Sequence, residues 1–205
     1  MNSHIVLYLF LSFFIADITL ADKKNSSDFE FKIAFGSCGK QTHPLPIFHE
    51  VIKQNPNLFI FLGDNIYGDT HDMDILNKKY QQLGTKESYQ HLIKNTDVLA
   101  TWDDHDYGQN DAGKHYPHKE ESKEIFLEFF KEPKNSERYK HKGIYHSVYK
   151  KAGNKIIQII LLDNRTFRDD LLRFPKGEKI PGRFFYRPDY LPHTDDSKAF
   201  LGEEQ

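Results

Sequence analysis

The chain has 205 residues, of which 28 are basic and 30 acidic, and its formal net charge is -2. This balance excludes the strong global field that draws a protein to nucleic acid or to an anionic membrane surface. Hydrophobic residues make up 38% of the chain, with 17 Phe and 11 Tyr, and this is the composition of a chain that folds around a core.

The first 21 residues have the pattern of a secretory signal peptide. Residues 5–15 are almost wholly apolar, and Thr19-Leu20-Ala21 places small residues where a signal peptidase cleaves. The apolar run is too short to span a membrane comfortably. We therefore predict a secreted protein with a signal peptide at 1–21, a polar linker at 22–28 and no membrane span after cleavage. The alternative is an uncleaved N-terminal anchor.

From residue 29 onward, strand and helix patterns alternate along the chain. Strands are predicted at 29–35, 58–62, 97–102, 144–150 and 155–162, and helices at 46–54, 74–94 and 119–131. The second helix is interrupted near Gly84-Thr85, and the last two strands form a hairpin. Because helices join the first three strands, those strands are expected to be parallel. The pattern predicts an α/β fold with a mixed sheet, in one domain that covers residues 29–205.

Polar residues follow each of the first three predicted strands. They are Gly36-Ser37-Cys38, Gly63-Asp64-Asn65 and Asp103-Asp104-His105-Asp106. The carboxyl ends of parallel strands meet at one edge of a sheet, so the three loops should converge on one site. Carboxylates gathered there would repel one another unless water or a cation neutralises them. Any one loop alone would fit an Asp-rich turn or a helix cap, but the three together favour a metal centre.

Four motifs, in their order along the chain, carry a resemblance to a known family. They are Phe35-Gly36-Ser37-Cys38, Gly63-Asp64-Asn65-Ile66-Tyr67-Gly68-Asp69, Ala100-Thr101-Trp102-Asp103-Asp104-His105-Asp106-Tyr107-Gly108 and Leu162-Asp163-Asn164-Arg165-Thr166-Phe167-Arg168. In these motifs the chain resembles the PhoD-like metallophosphatases, the alkaline phosphatase D family of the calcineurin-like phosphoesterase superfamily. The resemblance runs from about residue 31 to residue 205. It implies the N-terminal part of a four-layer αββα sandwich.

The same resemblance implies a dinuclear metal site that holds iron together with calcium or another divalent cation. The implied ligands are Cys38, Asp64, Tyr67, Asp103, Asp104 and Asn110. Cys38 and Tyr67 would bind iron, and Asp64 would bridge the two metals. A carboxylate of the Asp103-Asp104 pair would bind the second metal with Asn110, and the choice between the two carboxylates stays open.

Two further side chains have catalytic roles implied by the resemblance. His105 would protonate the leaving-group oxygen or stabilise charge there. Arg165 would contact the phosphate, for which its planar guanidinium is suited. A salt bridge from Arg165 to Asp163 or Asp170 is the alternative interpretation of this arginine.

The resemblance implies a phosphoric ester hydrolase that acts on phosphodiesters, either small phosphate esters or phospholipids. Family members carry a later Gly-Asp-x-His motif, beyond a helix that would open at Leu201, and this sequence stops at the opening of that helix. We therefore expect a fragment of a longer protein or a truncated paralogue. A second hypothesis is a secreted, non-catalytic protein that binds metal or phosphate, and a third is a metal-free structural protein.

Overall fold

A three-stranded parallel sheet forms the centre of the structure. The computed structural model describes residues 30–173 and 190–205. The sheet contains β1 (Ile33–Gly36), β2 (Leu58–Leu62) and β3 (Asp97–Thr101), side by side in that order. Three helices connect these strands, namely α1 (Ile47–Lys53), α2 (Met73–Gly84) and α3 (Glu87–Asn95). The predicted α/β fold with parallel early strands is confirmed.

The rest of the described chain adds two helices, a single 3-10 turn and two small antiparallel sheets. These elements are α4 (Asp104–Tyr107), α5 (Lys119–Phe129), the 3-10 turn (Glu137–Tyr139), β4 (His146–Ala152), β5 (Lys155–Leu161), β6 (Leu172–Arg173) and β7 (Tyr190–Leu191). β4 and β5 form the predicted hairpin, and β6 pairs with β7.

The side chains of β2 alternate between two hydrophobic clusters. Phe59 and Phe61 pack into the larger cluster, together with the buried side chains of α1, α2, α3 and α5. Leu58 and Ile60 point to the other face, where Ile159 of the hairpin joins them. A strand covered on both faces needs a continuous apolar run, which is what β2 has. Helices, parallel sheet and hairpin therefore form three successive layers.

The hairpin has one covered and one open face. Ile159 lies in the cluster against β2, whereas Tyr149, Ile156 and Ile160 are exposed on the other side. A fourth, helical layer would cover such a face in the αββα sandwich that the resemblance implies. Within residues 30–173 and 190–205, no element lies there, since these three side chains are among the most exposed hydrophobic ones.

The limits of several elements differ from those predicted. The interruption predicted near Gly84-Thr85 is confirmed, since the chain turns at Thr85 and Lys86 between α2 and α3, and the predicted start at residue 74 lies one residue after the observed one. Asp72 begins α2, and its side chain accepts hydrogen bonds from the amides of Asp74 and Ile75. Residues 201–205 form turns instead of the expected start of a helix.

The predicted signal peptide at 1–21 and the polar linker at 22–28 lie outside the described residues. Among the residues that the structure describes, no helix is both long and apolar enough to cross a membrane.

Candidate metal centre and active site

The loops that follow β1, β2 and β3 contact one another at the carboxyl edge of the sheet. The amide of Cys38 donates to the carbonyl of Gly63 at 3.2 Å, and that of Gly39 donates to the carbonyl of Asp64 at 2.9 Å. Gly63 has a φ of 107°, and a Cβ atom there would lie 2.6 Å from the amide nitrogen of Asp103. Glycine is therefore required for the second loop to approach the third so closely.

Four non-glycine residues in or near these loops have a left-handed backbone conformation. The φ angles of Cys38, Asp64, Asp69 and Asp111 are 60°, 50°, 45° and 61°. This conformation costs free energy for any side chain with a Cβ, although Asp tolerates it better than most. Such positions cluster at functional sites, where the surrounding structure holds them in place.

A buried carboxylate, that of Asp106, joins the second and third loops. It is fully buried, and it accepts hydrogen bonds from the backbone amides of Asp64 (3.3 Å), Asn65 (3.1 Å) and Asp103 (2.6 Å). Burial raises the pKa of Asp106 well above its usual value, and the amides of Asp103 and Asn65 oppose that shift. The carboxylate thus fixes the backbone position of Asp64 relative to the Asp103-Asp104 pair.

The side chains of Asp64, Asp104 and His105 form a group that could hold a metal ion. One ligating atom from each lies within 4.8 Å of the others. Burial raises the pKa of Asp64; the charge of His105 opposes this shift, while the charges of Asp103 and Asp104 add to it. Oδ1 of Asp64 is buried and has no hydrogen-bond partner among the described residues. A buried carboxylate oxygen without a donor is costly unless a cation meets it, so the donor set fits a metal.

Cys38 and Tyr67, two more of the predicted ligands, lie beside this group. Sγ of Cys38 is exposed and lies 3.6 Å from Oδ2 of Asp64. The ring of Tyr67 lies over that of His105, with 4.3 Å between the ring centroids. Burial, followed by the charges of Asp64 and Cys38, raises the pKa of Tyr67 to about 12. The phenol therefore needs a cation beside it to ionise near neutral pH.

Asn110, predicted as a ligand of the second metal, lies at the edge of the site. Its side-chain amide is exposed and donates to Oδ2 of Asp111 at 2.7 Å. The backbone amide of Asp111 in turn donates to Oδ2 of Asp104 at 2.6 Å. Asn110 is thus the neighbour in sequence of Asp111, whose backbone amide binds the Asp104 carboxylate. The side chain of Asn110 itself contacts Asp111.

The structure distinguishes the two carboxylates that the sequence leaves open. Oδ1 of Asp103 accepts hydrogen bonds from Nε of Arg165 at 2.6 Å and from Nδ2 of Asn164 at 3.2 Å, and it also contacts Nη2 of Arg165. Asp104 belongs to the group with Asp64 and His105, and Nη2 of Arg165 lies 3.6 Å from it. Asp103 is therefore engaged by Arg165, and Asp104 is the one grouped with Asp64.

His105 is held by Asp69, a residue to which the sequence analysis assigned no role. Nδ1 of His105 lies 2.7 Å from Oδ1 of Asp69. Burial lowers the pKa of His105, but the hydrogen bond and charge of Asp69, with the charges of Asp104 and Asp64, outweigh it and raise the pKa. The position of Asp69, five residues after Asp64 in the same Gly-rich loop, is the signal that could have identified it.

Asp163 is another residue to which the sequence assigned no role, and its side chain is buried. Its carboxylate accepts from Nε1 of Trp102 (3.0 Å) and from the backbone amides of Ile144, Arg165 and Thr166 (each 2.9 Å). This network fixes the turn after β5 that carries Arg165. Arg165 donates its backbone amide to Asp163, whereas its guanidinium pairs with Asp103, so the alternative guanidinium bridges to Asp163 or Asp170 do not form.

A comparison with solved structures finds a match to a structure of PhoD. The match has a TM-score of 0.57 and 18% sequence identity, and it covers 69% of this chain and 32% of the PhoD chain. The chain has the PhoD fold over that part. It thus spans about a third of the length of the structure that it matches. No protein-family model and no curated protein matches the sequence.

Proposed function

We propose that the chain contributes the metal-binding face of a phosphoesterase that depends on metal ions. The observation that carries this proposal is the close approach of the Asp64 and Asp104 carboxylates, with His105 beside them, at the carboxyl edge of a parallel sheet with the PhoD fold. Ligands of α/β proteins bind at this edge. Oδ1 of Asp64, which has no hydrogen-bond partner in the described part of the chain, adds support, since a buried carboxylate oxygen favours a nearby cation.

The proposal includes a dinuclear centre of iron with calcium or another divalent cation. Cys38, Asp64 and Tyr67 would hold the iron, because thiolate and phenolate suit it better than they suit calcium. Asp104 and Asn110 would hold the second ion through oxygen ligands. When bound, the two metal ions would act as Lewis acids on the phosphate ester and on the attacking water.

The chain's own residues would position the ester and move a proton. His105 would donate a proton to the leaving-group oxygen from Nε2, because Asp69 occupies Nδ1. Arg165 uses Nε and Nη2 on Asp103, which leaves the N–H groups of Nη1 to contact a phosphate oxygen. Asp103 would thus orient the guanidinium toward the ester.

The proposed substrates are phosphodiesters, either small molecules or phospholipids, and the proposed location is outside the cytoplasm. The resemblance in the four motifs supports the substrate class, and the signal-peptide pattern of residues 1–21 supports secretion. The balanced charge of the chain supports a substrate other than nucleic acid.

The test is hydrolysis of bis(p-nitrophenyl) phosphate by the protein expressed at its natural length. Turnover should require added metal, stop on chelation and fall at least a hundredfold in Asp64→Asn. Asp74→Asn, which changes an exposed carboxylate on α2, should leave the rate unchanged. Metal binding without turnover in the unaltered protein would favour the non-catalytic binder instead, and neither metal binding nor turnover would favour the structural protein.

A further inference from the structure

The backbone of Tyr67 is bound by the side chain of Gln41, which lies in the loop that follows β1, three residues after Cys38. Oε1 of Gln41 accepts a hydrogen bond from the amide of Tyr67 at 2.8 Å, and Nε2 donates to the carbonyl of Tyr67 at 3.4 Å. Gln41 is 2% exposed, so both of its polar atoms need partners inside the protein. Its side chain thus binds both backbone groups of Tyr67, as a residue of a neighbouring β-strand would.

A second side chain, that of Lys79 on α2, binds the same segment. Nζ of Lys79 donates to the carbonyl of Tyr67 at 3.1 Å and to that of Gly68 at 2.6 Å. The amide of Gly68 donates to the carbonyl of His105 at 2.9 Å, and a Cβ atom at Gly68 would lie 2.6 Å from that oxygen. Residues 67 and 68 are therefore fixed to the loop after β1, to α2 and to the backbone of His105.

The side chain of Tyr67 depends on this fixed backbone for its place. Its ring lies over that of His105, with 4.3 Å between the centroids, and Tyr67 is only half-buried. Packing on all sides does not hold a half-buried ring, so the position of its backbone decides much of where the phenol lies. A group that binds a metal must be held within about 0.5 Å of its working position by the contacts around it.

We propose that Gln41 and Lys79 are positioning residues, which hold Tyr67 so that its phenol lies against His105 and would meet the iron of the candidate metal centre. The part about iron rests on the proposed function, whereas the part about the ring does not. Because Gln41 and Cys38 belong to one short loop, Gln41 also links the positions of the two side chains, Cys38 and Tyr67, that are proposed for iron alone.

The first measurement is the nuclear Overhauser effect between the rings of Tyr67 and His105, in the full chain without metal. Gln41→Met removes both hydrogen bonds to the backbone of Tyr67 at a similar side-chain length, and Lys79→Met removes the ammonium group. In each variant the effect should be at least halved, because the ring is no longer held against the imidazole.

The matched controls are Gln82→Met and Lys78→Met, which change exposed side chains of α2 and should leave the ring contact unchanged. Circular dichroism checks that each variant is folded. Lys79 is partly exposed, so its variant decides the question if Gln41→Met does not fold. An unchanged effect in the folded Met variants of Gln41 and Lys79, or no effect in the unaltered protein, would overturn the proposal.

The second measurement is titration of the same proteins with iron. Loss of a partner that orients a metal ligand costs about 10- to 100-fold in affinity, so Gln41→Met and Lys79→Met should bind iron at least about tenfold more weakly than the unaltered protein. Equal affinities in variants that have lost the ring contact would overturn the role toward iron. No iron binding by the unaltered protein would contradict the proposed function instead, and the ring contact would still decide what positions Tyr67.

Discussion

Nδ1 of His105 and Oδ1 of Asp69 lie 2.7 Å apart, which fixes the imidazole and leaves Nε2 without a hydrogen bond to residues 30–173 or 190–205. The two residues belong to different parts of the chain. His105 lies in α4, and Asp69 lies in the loop that precedes α2. The carboxylate both orients the ring and favours its protonated form. The proposed proton donor therefore depends on a residue 36 positions away in the chain.

Asp69→Asn is expected to reduce kcat for bis(p-nitrophenyl) phosphate by about 10- to 100-fold, since general acid catalysis contributes about 10²- to 10⁴-fold. A proton donor must be protonated, so activity falls as pH rises through its pKa. Asp69 raises the pKa of His105, and its neutralisation should therefore move the alkaline limb of the pH–kcat profile to lower pH. An alkaline limb at the same pH as in the unaltered protein would contradict this role.

Arg165→Lys is expected to raise KM for the same diester about tenfold, with a smaller change in kcat. Lysine keeps the positive charge beside Asp103 but loses the planar guanidinium that contacts Asp103 and would contact phosphate at the same time. Steady-state kinetics measures both constants. Arg173→Lys, at an arginine with 70% of its side chain exposed, is the matched control. The phosphate role fails if both variants give the KM of the unaltered protein.

Asp106→Asn is expected to lower the free energy of unfolding by about 1–3 kcal/mol, the cost of leaving a buried hydrogen-bonding group without its partner. An amide nitrogen would replace one of the oxygens that accept from Asp64, Asn65 and Asp103. The second loop would then be less well fixed against the third, so metal affinity should fall as well. Urea unfolding and metal titration check the two effects, and unchanged values in both would show that the carboxylate does not join the loops.

Asp169 is expected to make stability depend on pH in the acid range. Its hydrogen bond with Lys114, followed by that from the amide of Ala199, lowers its pKa to about 2 from the usual 3.8. A depressed pKa in the folded state gives stability that is present above the usual pKa and is lost as pH falls through about 2. The difference in Tm between the unaltered protein and Asp169→Asn should therefore be full at pH 5, shrink as the pH falls to 2 and vanish below pH 2.

The matched control for this pH effect is Asp196→Asn, which removes an exposed carboxylate three residues before Ala199. Its Tm should follow that of the unaltered protein across the range. A Tm difference for Asp169→Asn that stays constant between pH 5 and pH 2 would contradict the proposed ion pair.

The fold was more predictable from the sequence than the pairing of the site residues. β2 was predicted at its observed limits, because a run of five apolar residues is typical of a strand covered on both faces, and four of the five, residues 58–61, are buried. The parallel direction of β1, β2 and β3 could be predicted because helices connect these strands. By contrast, α4 has four residues and β6 and β7 two each, which is too short for a periodic pattern.

The choice between Asp103 and Asp104 could not be made from sequence. It depends on Arg165, which is 62 residues from Asp103 in the chain and is placed by the turn after β5. Asp106 lies in the same acidic run, but it serves as a buried acceptor for backbone amides. Burial of individual carboxylates is decided by tertiary packing, and adjacent acidic residues of similar chemistry give no local sign of it.

Metal content is the most direct test of the central claim, that Asp64 and Asp104 hold a metal ion with their neighbours. Elemental analysis by mass spectrometry should find iron and calcium, or another divalent metal, in the dialysed protein at its natural length. Asp64→Asn should lose most of both metals, because Asp64 is the proposed bridge, whereas Asp74→Asn should retain them. Equal metal content in Asp64→Asn and in the unaltered protein, or no bound metal in either, would contradict the account.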